Sequence, residues 1–261
     1  MWYFLFALFW CVAFIICFQQ FLIAALTCMW YFSGQGEEMS DQPGEVSLLL
    51  AFKWGFVYHC GSIAFGSFLI ALITMIRVVF EYLVKKYESV GNKDNALFKA
   101  VTCVMRCILW CLDKYVKFIT KNAFIQISLH STSFCKAAWD SFCLIIRFAG
   151  RFGSAQIIGW IMMMLGKGTI MSTSAYLTIL LVKEMNPEVT QPFIPAILIA
   201  VFAYLVGSLF LSVFSFSCTA ILHSFILDED TGGSKHTPNS LKSFLDYNDD
   251  KEAKADIKHE E

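Results

Sequence analysis

FIPAILIAVFAYLVGSLFLSVFSFSCTAILHSFIL, residues 193–227, contains no Asp, Glu, Lys or Arg. A helix needs about 20 predominantly apolar residues to cross the hydrocarbon core of a bilayer, and this stretch exceeds that. Pro192 and Pro195 stand at its start, where a missing amide donor costs a helix least. Three further runs lack formal charge: Met1–Gly36, Trp54–Ile76 and Phe152–Gly166. A soluble chain of 261 residues needs polar residues throughout to cover its surface, whereas this one is 57% hydrophobic, 16% aromatic and only 16% charged. Its net charge of −1 excludes a broadly basic nucleic-acid binder. The fold class is therefore all-α: a polytopic integral membrane bundle of about four transmembrane helices, solvated by membrane lipids, with cytoplasmic amphipathic helices.

The spans are expected at about 2–32, 48–83, 156–182 and 193–227. The first is too long for a signal peptide and has no basic leading segment, so it reads as an anchor. As one helix, 48–83 would extend about 54 Å at ~1.5 Å per residue, well beyond a core of about 30 Å. A short interfacial piece near 46–57 is expected, then the true span from about 58, with Gly55, Gly61 and Gly66 as places to bend and Lys53 at the interface.

Charge sets the orientation. The 33–45 connection holds Glu37, Glu38, Asp41 and Glu45 and no basic residue, whereas 77–151 holds 12 basic and 5 acidic residues. Loops rich in Lys and Arg stay in the cytoplasm. The chain thus divides into 1–83, two spans with an acidic outer loop at 33–45; 84–155, basic and cytoplasmic; 156–227, two spans joined by an outer segment at 183–192; and 228–261, an acidic tail read as disordered. Both termini are expected in the cytoplasm. Within the middle region, apolar residues recur at helical spacing from Ala96 to Thr120, opposite Lys99, Arg106, Asp113, Lys114 and Lys117. Such a helix either lies on the inner leaflet or packs beneath the spans. A second amphipathic stretch is read over 122–150.

None of the ten cysteines falls in a predicted outer loop, so no disulfide network is expected. Cys103, Cys107 and Cys111 share one helical face, as small residues of a packed surface or as acylation sites at the inner leaflet. Gln19 and Gln20 sit mid-way along the first span, for a bond to another helix or a role in a pathway. His59 reads as an interfacial hydrogen-bonding residue, and Arg77 with Glu81 as a local ion pair. Lys167, between two glycines, suits a structural or gating role. Aromatic faces attract quaternary ammonium groups, and Trp30, Tyr58, Trp160 and Tyr204 are the candidate cage, with Gln20 beside them as a substrate-binding residue. The sequence has no phosphate-binding loop, no HExxH and no GxSxG, so no catalytic residue, metal or cofactor is expected.

Tyr58-His59-Cys60-Gly61-Ser62-Ile63-Ala64-Phe65-Gly66-Ser67 resembles the YHxGSxAFGs signature of the choline transporter-like family, solute carrier family 44. Ile76–Tyr82 is similar to the family's IRVxxEYL segment, and the match continues through Cys107–Lys114 and Phe118–Ala123. Trp10, Phe14, Gln20 and Trp30-Tyr31 fit the preceding helix, and Gly166-Lys167 the following one. The resemblance implies sodium-independent movement of choline, and in some members ethanolamine, across the plasma or an organelle membrane. It also implies a longer carrier, of which this chain resembles the C-terminal part, with the missing N-terminal half or other membrane subunits as partners. The other reading is a non-transporting structural or accessory subunit. Two positions depart from the family pattern: Ala13 stands where Asn is usual, and Thr219 where the last helix commonly has Asp.

Overall fold

The computed structural model describes residues 2–33, 46–89, 96–185 and 193–232. Most of the acidic 33–45 connection, most of the 183–192 segment including Pro192, and the tail from 233 onward lie outside the described residues. The described residues form helices and no strand: α1 Trp2–Phe32, α2 Leu48–Lys53, a π-turn Trp54–Tyr58, α3 Cys60–Ser89, α4 Ala96–His130, α5 Phe134–Arg147, α6 Ala149–Met185 and α7 Phe193–Gly232. α1, α3, α6 and α7 are long and apolar enough to cross a membrane.

The second apolar run breaks where its length requires. Ser47 caps α2 by accepting a hydrogen bond from the Leu50 amide. The π-turn follows, and His59 leaves helical geometry at φ −118° before α3 starts. Gly55 lies at this break because α1 passes close: a Cβ there would come within 3.1 Å of both the Phe18 and Phe21 rings. Gly66 does not bend the chain. It lies within continuous α3, where a Cβ would meet Phe134 Cε2 at 2.8 Å, Phe124 Cζ at 3.0 Å and Thr120 Cγ2 at 3.1 Å. Gly61 has open space around it.

The chain divides into two compact units. The first contains α1 to Ile146 of α5, together with the end of α7 from His223. Its apolar core joins Cys17, Phe21 and Ala25 of α1, Ala51 of α2, Ile63 of α3, Phe124 and Ile127 of α4, and Phe134 and Ala137 of α5. α3 and α4 run antiparallel along their whole length. Tyr87 meets Phe98 with ring centroids 4.2 Å apart, Glu81 meets Arg106, Arg77 meets Asp113, and Gly66 meets Thr120 and Phe124.

Residues 120–127 of α4, just past the stretch for which two placements were open, take a packed position. They are buried, Lys121 excepted, beside α1 and α3. α4 ends at Ser131, whose φ of 51° is left-handed, and α5 turns back so that Phe134 packs on Phe124 and Phe142 on Tyr115. The single amphipathic stretch expected over 122–150 is thus two helices of a hairpin. No Gly or Pro marks the turn, since a lone serine supplies the unusual φ.

The second unit, Arg147–Leu222, contains α6 and most of α7. These helices are antiparallel: Ile170 lies against Gly207, Leu211 against Gly166, and Gln156 against Thr219. α7 continues past Leu227 as helix to Gly232, with Asp228 buried, so the start of the expected disordered tail is ordered.

Candidate functional site

The ten-residue stretch from Tyr58 to Ser67 makes the junction of α1, α3, α4 and α5. Its first two residues end the π-turn, and the His59 ring lies tilted against Phe21 with centroids 5.5 Å apart. The interfacial hydrogen bond expected of that ring is not made among the described residues. Further along, Trp10 Nε1 donates to Ala64 O at 3.3 Å and to Ser67 Oγ at 3.2 Å, holding α1 against α3. Ile63 and Ser67 are fully buried, and Phe65 packs edge-on to Phe134 at 5.4 Å. The residue types follow from that packing: glycine where aromatic rings press in, serine where an indole needs an acceptor.

Further toward its C-terminus, α4 presents polar groups to the same interior. Asn122, Gln126 and His130 recur every fourth residue and so share a face. Gln126 Oε1 lies 3.0 Å from His223 Nε2 of α7, and Gln126 Nε2 lies 3.3 Å from His130 Nδ1. Ser128 Oγ donates to Cys28 Sγ at 3.3 Å, and Cys28 lies 3.6 Å from Ser224 Oγ. Asn122 donates to Phe118 O at 2.9 Å. Thr120 Oγ1, Asn122 Oδ1, Ser141 Oγ and His223 Nδ1 are buried without a hydrogen-bond partner among the described residues. An unpaired buried polar atom costs roughly 1–3 kcal/mol, so each of these atoms stands where a polar partner would gain a hydrogen bond.

A second, charged constellation lies between α3 and the earlier turns of α4. Arg106 holds Glu81 with both ends of its fork, Nε to Oε1 at 2.7 Å and a terminal nitrogen to Oε2 at 2.8 Å. That hydrogen bonding, and then the carboxylate's charge, hold Arg106 above the ordinary guanidinium value. Asp113, only 4% exposed, accepts from Arg77 at 3.3 Å and from Lys117 at 2.9 Å. A carboxylate so enclosed requires its partners, and here two cations serve one anion. The local Arg77–Glu81 pair read from the sequence is therefore replaced by two cross-helix pairs, because α4 packs beside α3 and offers Arg106 and Asp113 in better geometry. An open-sided cavity of about 410 Å³ lies at this junction, lined by Arg77, Phe80, Glu81, Arg106, Cys107, Leu109 and Trp110.

The residues singled out for substrate binding are distributed over both units. In the first, Gln20 is half-buried with no hydrogen-bond partner for its amide among the described residues, and Gln19 is exposed. Trp30 and Tyr58 are exposed and make no ring contact with each other. In the second unit, Trp160 is exposed, and the Tyr204 face is occupied by the Lys167 ammonium at 5.8 Å from the ring centroid. Lys167 thus finds an aromatic face rather than a carboxylate. Thr219 accepts from Gln156 at 3.1 Å and donates to Ser215 O at 3.0 Å, a neutral arrangement at that position. The polar face of α4 is absent from the residues expected. Its signal was the spacing of Asn122, Gln126 and His130, together with His223, a lone imidazole in an otherwise uncharged run.

These features define a multi-pass integral membrane protein whose interior carries polar groups within an apolar helix assembly. Residues 1–230 match the family described as plasma-membrane choline transporter, and the chain belongs to that family. It is 30% identical over 233 residues to choline transporter-like 2 of Anopheles gambiae, covering 88% of this chain and 29% of that protein. It is also 30% identical to choline transporter-like protein 5 of Macaca fascicularis (90% of this chain, 33% of that one) and to choline transporter-like protein 2 of Dictyostelium discoideum (94% and 38%). The chain spans about a third of the length of these relatives.

Proposed function

We propose that the protein takes part in moving choline, or a closely related small organic cation such as ethanolamine, across the plasma membrane. The observation that carries this is the family match over residues 1–230, which takes in all four apolar helices and reaches the end of α7. A quaternary ammonium cannot donate hydrogen bonds. It is accommodated by aromatic faces, while the hydroxyl of choline requires a hydrogen-bonding partner. In the first unit the groups proposed to serve these needs are Trp30, Tyr58 and Gln20; in the second they are Trp160 and Tyr204. The basic start of α4 and both termini are assigned to the cytoplasm on the charge asymmetry of the sequence.

Cells with low endogenous choline uptake, made to express the protein, test the proposal. Saturable accumulation of labelled choline, blocked by excess unlabelled choline or a quaternary analogue, is the expected result. Uptake equal to that of vector controls, at verified surface expression, overturns it. An epitope at either terminus should be stained only after permeabilisation; staining of intact cells overturns the orientation.

A further inference from the structure

Cys103, Cys107 and Cys111 lie on successive turns of α4, and all three are free and exposed. They are therefore not the small residues of a packed face. One arc of the helix turns toward α3 and buries Thr102, Asp113 and Thr120. Another arc carries Val104, Ile108, Leu112 and Tyr115, all exposed and with no charge among them. Lys99, Arg106, Lys114 and Lys117 occupy the arc between. At about 100° per residue the three thiols fall along the seam where the basic arc meets the apolar one.

The depth of this seam is fixed by α3. Its uncharged run ends at Ile76, and the next two charges, Arg77 and Glu81, pair with Asp113 and Arg106 of α4. Cys107 and Cys111 lie between those two α4 partners, at the level where α3 leaves the apolar layer. Beside Cys107 the cavity offers an apolar wall of Phe80, Leu109 and Trp110 under two guanidinium groups. A basic rim suits anionic headgroups, an apolar wall suits a hydrocarbon chain, and an exposed thiol stands between them. Among the described residues no group of three or more His, Cys, Asp or Glu could hold a metal, so the ladder is not a metal site there.

We propose that Cys103, Cys107 and Cys111 are S-acylation sites for long-chain fatty acyl groups, with Cys107, at the cavity, the principal one. The thiol sulfur attacks the carbonyl carbon of a long-chain acyl thioester of coenzyme A. A new carbon–sulfur bond forms, the bond to the coenzyme's sulfur breaks, and the cysteine proton passes to the departing thiolate. No electron transfer is involved. A bound acyl chain would bury apolar area now exposed on α4 and hold the helix to the inner leaflet. The proposal rests on the cytoplasmic placement of the start of α4 and not on choline transport, so uptake measurements do not bear on it.

The test is metabolic labelling of the full chain in cells with an alkyne-bearing fatty acid, together with mass-tag exchange to count thioesters. The expected result is a label removed by neutral hydroxylamine and reduced to background in the C103S/C107S/C111S variant, but retained when exposed Cys135 and Cys143 of α5 are replaced instead. Replacing Cys107 alone should remove the largest share of the label, and Cys103 or Cys111 alone a smaller one, which keeps the test valid if the triple variant folds poorly. No hydroxylamine-sensitive label, or a label that survives the triple replacement, overturns the proposal.

Discussion

The two units use similarly apolar helices in different ways. In the first, α1, α3 and α4 are tied by directional contacts: an indole donating to a buried serine, two cross-helix ion pairs, and a glutamine bridging two histidines. In the second, α6 and α7 meet through small residues, glycines at 166 and 207 receiving Leu211 and Ile170, with Gln156–Thr219 as a direct side-chain tie. Lipid tails are as apolar as leucine, so apolarity alone does not hold helices together in a bilayer. The difference teaches that hydropathy places a helix in the membrane, whereas close approach and polar pairing choose its neighbour. Substitutions in the first unit should therefore weaken the fold most.

The largest effect is expected at Gly66. Valine there forces two buried aromatic rings apart, and the cost should reach the upper part of the roughly 1–3 kcal/mol seen on overpacking. The thermal midpoint of the detergent-purified protein should fall sharply; an unchanged midpoint would remove the α3–α4–α5 junction from the account. Next is Gln126→Leu, which leaves His223 Nε2 and His130 Nδ1 without the amide. A buried group left unpaired costs about 1–3 kcal/mol, so a clear loss in the same assay is expected, and a neutral result would show that the imidazole finds another partner.

Gln156→Leu in the second unit removes a single interhelical hydrogen bond, worth about 0.6 kcal/mol on average between membrane helices. A loss as large as that of Gln126→Leu would break the contrast between the units. The smallest effect belongs to Gly207→Ala. The added Cβ meets Ile170 Cδ1 at 3.0 Å and Cγ2 at 3.3 Å, atoms of one side chain that needs to give by only a few tenths of an ångström. The stability should stay within about 0.5 kcal/mol of the parent's, with little change in the midpoint. Gly66→Ala alongside it sharpens the comparison, because its three neighbours are core side chains with little room to move.

Much of this fold is legible in the sequence because membrane insertion is read from runs of residues. The four uncharged stretches became α1, α3, α6 and α7, and the excess length of the second became a break at Trp54–His59. What escaped was whatever depends on a neighbour. Arg77 and Glu81 look like a pair in one dimension, and only the passage of α4 beside α3 gives each a better partner. The α4–α5 turn is silent because Ser131 adopts its left-handed φ without glycine or asparagine to signal it. The site was legible only in kind. Aromatic rings and an amide were chosen by residue type alone, whereas the polar groups that converge, Gln126 and His130 of α4 with His223 of α7, come from two segments far apart in the chain.

The α4–α5 hairpin also constrains how the protein is made. Between Lys99 and Lys121 α4 carries five basic residues, and each lysine or arginine at the centre of an isolated inserting helix costs about 2.5–3.5 kcal/mol. The insertion machinery, reading one helix at a time, has no reason to release α4 sideways into lipid. Its place becomes favourable only once α3 presents Arg77, Glu81 and the surface of Gly66, and α1 presents Cys17 and Phe21. The order of synthesis meets that requirement, since α1 and α3 leave the ribosome first. The hairpin is therefore a late arrival, fitted into a seam already built, and a nascent chain stalled just after α4 should be more exposed to quality control than one stalled after α3.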